Sequence, residues 1–439
     1  MYENYYNNLF QALCTDDMNK ALDCCQSAID IAPMHSLGYI LLILFLIKSN
    51  NIEKAKEVYD KFNKINPNFQ FEISPEIEMP LAVFVLKHFV SIETPFINEG
   101  YEHLLNTTCP SEADFIRVVI QYIGINDISN SFKMTNKALE KYPNSVSLNY
   151  NKSAILMKSE RLEEAWDYYE LREKIYNHHK LLLPNVPKYP YLKENVKLLV
   201  YAAAGFGDTI FYARYLKLLQ EKNIDLYIYV QPQLKELFKL NGFNVIDNLD
   251  EMKFDYQISF MSLGWLFKTS LDTIPQADKY LLCPKMPTNS KLKTGLRKVG
   301  LVWKSGAQSN RRLTIEQLAP VLSLPNYQFY SLQKEIDEQE KQLLSQYNII
   351  DLSDDLTSFV ETSNFINQMD FIIGCDTAVT NLSAALGKET LVLVPFFCDF
   401  RWSITEFFTP WYNSARVFRQ DLPDNWDFAI NNLSKYLQG

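Results

Sequence analysis

The sequence predicts a protein of two kinds of structure. Helical hairpins repeat over residues 1–180, and two α/β halves follow, 195–288 and 296–439, with a cleft between them. Three observations carry this expectation: a self-similarity with a period of 34 residues near the start, a cluster of prolines in the 180s, and short β-rich apolar runs that alternate with helical stretches after it.

In the first part, Ala21, Cys25, Ala28 and Pro33 align with Ala55, Tyr59, Phe62 and Pro67. Ala138 and Pro143 close another such unit, and Ala165 with Tyr169 sits in the next. Small residues let two antiparallel helices approach, an aromatic ring fills the remaining gap, and Pro ends the second helix. The pattern resembles tetratricopeptide repeats. Stacked helix pairs of that kind form a concave surface suited to gripping a peptide or another protein.

Helical character ends near His178 and His179, and Pro184, Pro187 and Pro190 then disfavour helix, which places a linker there. Strands are expected at Val196–Ala202, Asp225–Val230, Tyr256–Phe260, Val299–Trp303, Gln328–Leu332, Phe371–Ile373 and Thr390–Val394. A polar, basic, Pro-containing segment between Cys283 and Lys298 divides this region into two sheets.

Composition narrows the function. With 439 residues, 47% of them hydrophobic, the chain can bury several cores. A formal charge of -9 argues against nucleic acid as a partner, because phosphate backbones demand clustered cations. No apolar stretch is long enough for a membrane span, and the start lacks signal-peptide character. The 7 cysteines form no CxxC pair and join no His at metal spacing, so they read as buried thiols of a reducing cytoplasm, with no metal site. Zinc and serine hydrolase motifs are absent as well.

Three strand ends concentrate chemistry. After the first strand come Gly205, Gly207, Asp208 and Thr209. The glycines let backbone approach a ligand, and Asp208 either caps the following helix or accepts a proton. After the strand ending at Trp303 come Lys304, Arg311 and Arg312, a local cationic cluster that suits a pyrophosphate or forms a solvated loop. After Gly374 and Cys375, Asp376 and Thr377 either cap a helix or offer its amides to phosphate, with Asn381 one turn along the same face. An aromatic run from Phe396 to Tyr412 offers rings for stacking, although core packing suits most of them.

The segments AAAGFGDTIFYARYL, SLGWLFKTSLDTIP, VGLVWKSGAQSNRR, FYSLQKE, CDTAVTNLSAALG and the block from LVPFFCDFRW to TPWYNSARVFRQ lie between about residues 195 and 420. Together they resemble glycosyltransferases of the GT-B fold, in particular the heptosyltransferase-like, family 9-like group, and the whole layout is distantly similar to O-GlcNAc transferase. The resemblance implies a nucleotide-sugar donor as co-substrate, no cofactor and no metal. It implies Asp376 and Thr377 near the phosphates or ribose, Gln333 near the base, and Lys304 with Arg311 or Arg312 on the leaving nucleoside diphosphate. Asp208 is then the general base. Relatives commonly read DTAVAHL where this chain has DTAVTNL, so Asn381 replaces a His and cannot shuttle protons near neutral pH.

The expected function is therefore sugar transfer to a hydroxyl, on a protein or peptide held by the repeats. The alternatives are a scaffold that has lost catalysis, or transfer to a saccharide or lipid-linked glycan.

Overall fold

A computed structural model describes residues 18–33, 36–48, 51–65, 111–124, 126–250, 252–275, 277–284, 291–292, 295–306, 311–403, 407–421 and 425–438, with residue 8. The chain divides into two compact units, 1–145 and 146–439.

The first unit contains helices α1 (Met18–Ile31), α2 (Ser36–Lys48), α3 (Ile52–Ile65), α4 (Glu112–Gly124) and α5 (Ile128–Lys141). Helix α2 packs against both α1 and α3, and α4 packs against α5. Ala21, Cys25, Ala28 and Phe62 are buried, as the repeat pattern requires, and Tyr39 and Phe62 set their rings 5.5 Å apart. Gly38 lets α1 and α2 approach, since a Cβ there would lie 2.8 Å from Ile29 Cγ1. Pro33 and Pro143 each follow a helix end by two residues. The side chains of Ala55 and Tyr59, and all of Pro67, lie outside the described residues. The described helices of this unit thus pack against their neighbours in chain order, α1 with α2, α2 with α3, and α4 with α5.

The second unit opens with two more helices, α6 (Val146–Lys158) and α7 (Leu162–Tyr169). They share a core with the α/β region. Trp166 lies over Gly264, where a Cβ would come within 2.4 Å of the indole, and its Nε1 donates to the Thr269 carbonyl at 2.8 Å. Arg172, buried, donates to Ser262 Oγ at 2.6 Å and pairs with Glu170. The segment with the prolines of the 180s, expected to mark a linker, runs beside a sheet edge at Pro187–Tyr189. Pro187 accepts from Gln257 N at 3.0 Å, Tyr189 N donates to Gln257 O at 2.8 Å, and the Gln257 side chain holds Leu183 and Val186. An edge is where Pro, lacking an N–H, is tolerated.

Two parallel sheets follow. The first, in the order β2-β1-β3, joins Lys197–Tyr201 (β1), Asp225–Tyr229 (β2) and Tyr256–Ser259 (β3). The second has six strands in the order β6-β5-β4-β7-β8-β9: Arg297–Val302 (β4), Tyr327–Ser331 (β5), Ile350–Asp351 (β6), Phe371–Cys375 (β7), Thr390–Val394 (β8) and Ala415–Arg419 (β9). Every pairing is parallel, and β7 and β8 are buried throughout, as expected of strands covered on both faces. All seven expected strands are present; β6 and β9 are additional. Strand β9 closes an edge, with Ala415, Val417 and Phe418 buried and Arg416 and Arg419 partly exposed.

The two sheets meet through aromatic side chains. Arg214, fully buried, donates to Phe211 O at 2.9 Å, Trp411 O at 2.8 Å and Tyr280 Oη at 3.4 Å. The rings of Phe211, Tyr280, Trp411 and Tyr412 surround its guanidinium at 4.6, 4.8, 5.2 and 4.7 Å. Most rings of the aromatic run thus serve packing. Among the described residues no helix is long and apolar enough to cross a membrane.

Candidate functional site

In the six-stranded sheet the chain runs outward from β4 through β5 to β6, then returns to β7 beside β4 and runs the other way. That reversal leaves a crevice at the carboxyl ends of β4 and β7, the place where open parallel sheets take ligands. Trp303 and Lys304 follow β4 there, and Asp376 and Thr377 follow β7.

Two cations of this crevice are already engaged. Lys304 Nζ forms an ion pair with Glu340, which also accepts from Trp303 Nε1 at 2.9 Å. Expected as a free point charge for phosphate, Lys304 is instead held on the helix Glu338–Gln346. Arg311 pairs with Asp376 at 3.0 Å, while Arg312 is exposed. Gln333 is buried and accepts from Lys304 N at 3.2 Å.

Helix α11 follows β7; in chain order α8 is Phe206–Tyr212, α9 Glu338–Gln346, α10 Phe359–Gln368, α11 Ala378–Ala385 and α12 Asp427–Gln438. Capping of α11 falls to Thr377, whose Oγ1 accepts from Thr380 N at 3.4 Å while Thr380 Oγ1 accepts from Thr377 N at 2.9 Å. Asp376 is a buried carboxylate. Burial pushes its pKa up, against the pull of Arg311 and Arg401.

Asn381 ties the site together. Its Nδ2 donates to Thr377 O at 2.8 Å and to Asp376 Oδ1 at 3.3 Å; its Oδ1 accepts from Tyr412 Oη at 3.0 Å and from Arg401 Nη1 at 3.3 Å. An amide supplies both donor and acceptor faces without carrying charge, which suits a position between a carboxylate and a guanidinium.

Arg401 is the cation at the centre. Its side chain is 6% exposed, with Nη2 2.5 Å from Asp208 Oδ1 and Nε 2.9 Å from Asp399 Oδ1. Burial penalises the guanidinium, but Asp399, Asp208 and Asp376 keep it charged. For Asp399, burial acts to raise the carboxyl pKa; Arg401 outweighs it and holds the group below the usual range. Arg401 also lies 4.5 Å over the Phe211 ring.

The first sheet supplies Asp208 in the third position of α8, behind the cap residue Gly205. Asp208 does not cap this helix; it reaches across to Arg401. Gly207 faces the other half, where a Cβ would sit in ordinary contact, 3.4 Å from Asn381 Nδ2 and 3.7 Å from Ala378 Cα. Thr209 is buried and donates to Gly205 O at 3.2 Å and to Gln231 Oε1 at 3.1 Å, which braces the loop after β1.

The structure therefore brings Asp208, Asn381, Asp376, Thr377 and Arg311 into one network, and sets Lys304 and Gln333 together beside the same strand ends. Arg401 and Asp399 complete it and were not singled out from sequence. Their signal was a charged pair within the apolar run PFFCDFRW, since buried charges must find partners.

No family model and no curated protein matches this chain. Solved structures that resemble it include the E. coli ADP-heptose lps heptosyltransferase II, 12% identical at a TM-score of 0.39, over 55% of this chain and 100% of that one. Another is the iron-containing dodecameric glycosyltransferase TibC of enterotoxigenic E. coli, 13% identical at 0.38, over 55% and 67%. A mutant O-GlcNAc transferase of Thermobaculum terrenum aligns over 91% of this chain and 84% of its own, 11% identical at a TM-score of 0.27. All three likenesses lie at TM-scores of 0.39 or lower.

Proposed function

We propose that residues 146–439 form a glycosyltransferase that moves a sugar from a nucleotide-activated donor to an acceptor hydroxyl. One observation carries the reading: the crevice at the carboxyl ends of β4 and β7 meets an aspartate-bearing helix from the other sheet, with Arg401 bridging the two. The donor's phosphates lie at the start of α11, within reach of Arg311, Arg312 and Lys304, and its base lies near Gln333. The acceptor O–H gives its proton to Asp208 as the oxygen bonds to the anomeric carbon. The bond from that carbon to the donor phosphate breaks, and the nucleotide leaves, as a diphosphate from UDP-, GDP- or ADP-sugars and a monophosphate from CMP-sugars, with charge that the arginines neutralise. Arg311 turns from Asp376 to do so, so donor binding and that ion pair compete. The positive charge comes from side chains, and the reaction as proposed uses no metal. Packed helices in residues 18–141 support a repeat surface that holds a protein or peptide acceptor. The free thiols Cys25, Cys375 and Cys398 support placement in the cytoplasm.

A thermal-shift screen with UDP-, GDP-, ADP- and CMP-sugars tests this, since a ligand of the folded state alone raises its melting temperature. One nucleotide class is expected to shift the wild type. Asp208→Asn is expected to keep that shift and lose transfer by about 10²–10⁴-fold. No shift with any donor would end the reading. A second reading, a binding scaffold without catalysis, is favoured by the engagement of Asp208 with Arg401; on it, donor binds but wild type and Asp208→Asn are equally inactive.

A further inference from the structure

Arg401 and Asp399 sit on a short turn, Cys398 to Ser403, and Lys158 at the end of helix α6 with Glu160 just beyond it grips both ends of that turn. Lys158, the last residue of α6, is 5% exposed and donates from Nζ to the Cys398 carbonyl at 3.0 Å, with its ammonium 4.5 Å over the Phe397 ring. At the far end, Ser403 Oγ donates to Glu160 Oε1 at 3.2 Å. Glu160 itself follows α6 in left-handed backbone, φ +60°, which aims its carboxylate at the turn. Ser403 is also left-handed, φ +52°, so the end it occupies is conformationally costly and needs outside contacts to persist. Arg419 adds a third hold, donating to the Ser403 carbonyl and to Cys398 Sγ. Burying an ammonium on a backbone carbonyl and a ring is expensive. A surface lysine would serve mere solubility at no such cost. Desolvation lowers the Lys158 pKa, in keeping with that expense.

We propose that Lys158 and Glu160 are positioning residues, which fix the Cys398–Ser403 turn so that Arg401 stands between Asp208, Asp399 and Asn381. The inference rests on the transferase reading for its kinetic consequence, but the clamp itself does not. Helix α6 is then part of the reaction centre's frame rather than of an acceptor-gripping surface. Neither residue touches substrate; both act through Arg401.

The test uses the full chain with Lys158→Met, which keeps the buried stem and removes the charge, and Lys158→Arg, which restores a donor. Hydrogen exchange of the 398–403 amides is read first. Lys158→Met is expected to speed it at least tenfold while exchange in 371–375 stays unchanged, and Lys158→Arg is expected to recover part of the protection. Turnover is then read with whichever nucleotide sugar shifts the wild type, and kcat is expected to fall about tenfold with the donor KM within twofold. A structural weakening alone would move exchange across the whole unit and would not leave KM intact. Exchange at 398–403 unchanged in Lys158→Met overturns the clamp. Should that variant fail to fold, Glu160→Asn decides the matter, since Asn tolerates the left-handed backbone but is too short to reach Ser403; it too must speed exchange at 403, or the proposal fails. If no nucleotide sugar binds, the transferase reading falls, while the exchange result still decides the clamp.

Discussion

Replacing Arg401 with Met removes the charge that three carboxylates share while keeping most of the stem's volume. In the wild type the guanidinium is 6% exposed and reaches Asp208 at 2.5 Å and Asp399 at 2.9 Å. Breaking a buried ion pair from one side leaves its partner uncompensated and costs about 3–5 kcal/mol. The Asp208 and Asp399 side chains keep 29% and 27% exposure, so water screens part of this, and we expect the low end, about 3 kcal/mol at pH 7. The pH dependence has a definite sign. Burial would raise the Asp399 pKa, yet Arg401 holds it below its ordinary 3.8. A carboxylate depressed in the folded state adds stability that is complete above its unfolded value and is lost as pH falls through the folded one. Without the Arg401 guanidinium, burial is opposed only by Arg311 and by the backbone N–H of residue 401, the pKa rises, and acid relieves the variant. The stability gap between wild type and Arg401→Met should therefore narrow from pH 7 towards pH 4. Urea denaturation followed by tryptophan fluorescence measures it, with equal m-values confirming that the same surface is exposed. A gap under about 1 kcal/mol at pH 7, or one that does not narrow on acidification, refutes the neutralising role.

Gly264→Ala should cost about 1–3 kcal/mol in the same assay, because its Cβ would meet the Trp166 indole at 2.4 Å and Thr269 fixes that indole; Trp166→Phe should relieve part of the loss. Asp376, raised by burial above 3.8, withholds stability when ionised, so Asp376→Asn should not destabilise the unit at pH 7, and Arg311→Met should move its NMR titration further up. His179 is pushed down to about 4, first by burial and then by Arg172 and His178. Its neutral form thus adds stability that is complete above 6.5 and lost as pH falls towards 4, and His179→Phe should flatten that slope. Thr377→Ala should cost about 1 kcal/mol through the lost cap of α11, seen as a lower urea midpoint.

What the sequence displays and what it conceals divide along the range of the interactions. Central parallel strands such as Thr390–Val394 are buried on both faces and read as runs of Val, Leu and Thr without charge, so they were legible. Strand β6 is two residues long, and β9 carries arginines at its edge within an aromatic run, so neither had the pattern of a strand. Asp208, Asp376 and Asn381 could be found because they sit where strands give way to helices. The pairings could not be read, because Arg401 reaches Asp208 from another sheet and Glu340 reaches the loop residue Lys304 from a helix. The same holds for α6 and α7. Their helical character is local, but their membership in the second unit depends on an indole meeting a bare glycine far along the chain.

Arg214 sets how the two sheets of the second unit can part. A guanidinium enclosed by four rings, and bonded to carbonyls from both sides, gains no water until the enclosure has fully opened. Small hinge motions would forfeit those bonds with nothing to replace them, so intermediate openings are the least stable of all. The joint behaves as a latch, closed or sprung. On the transferase reading, ligands would then pass by rearrangement of side chains at the crevice mouth, with Arg311 moving off Asp376, while the frame behind stays shut.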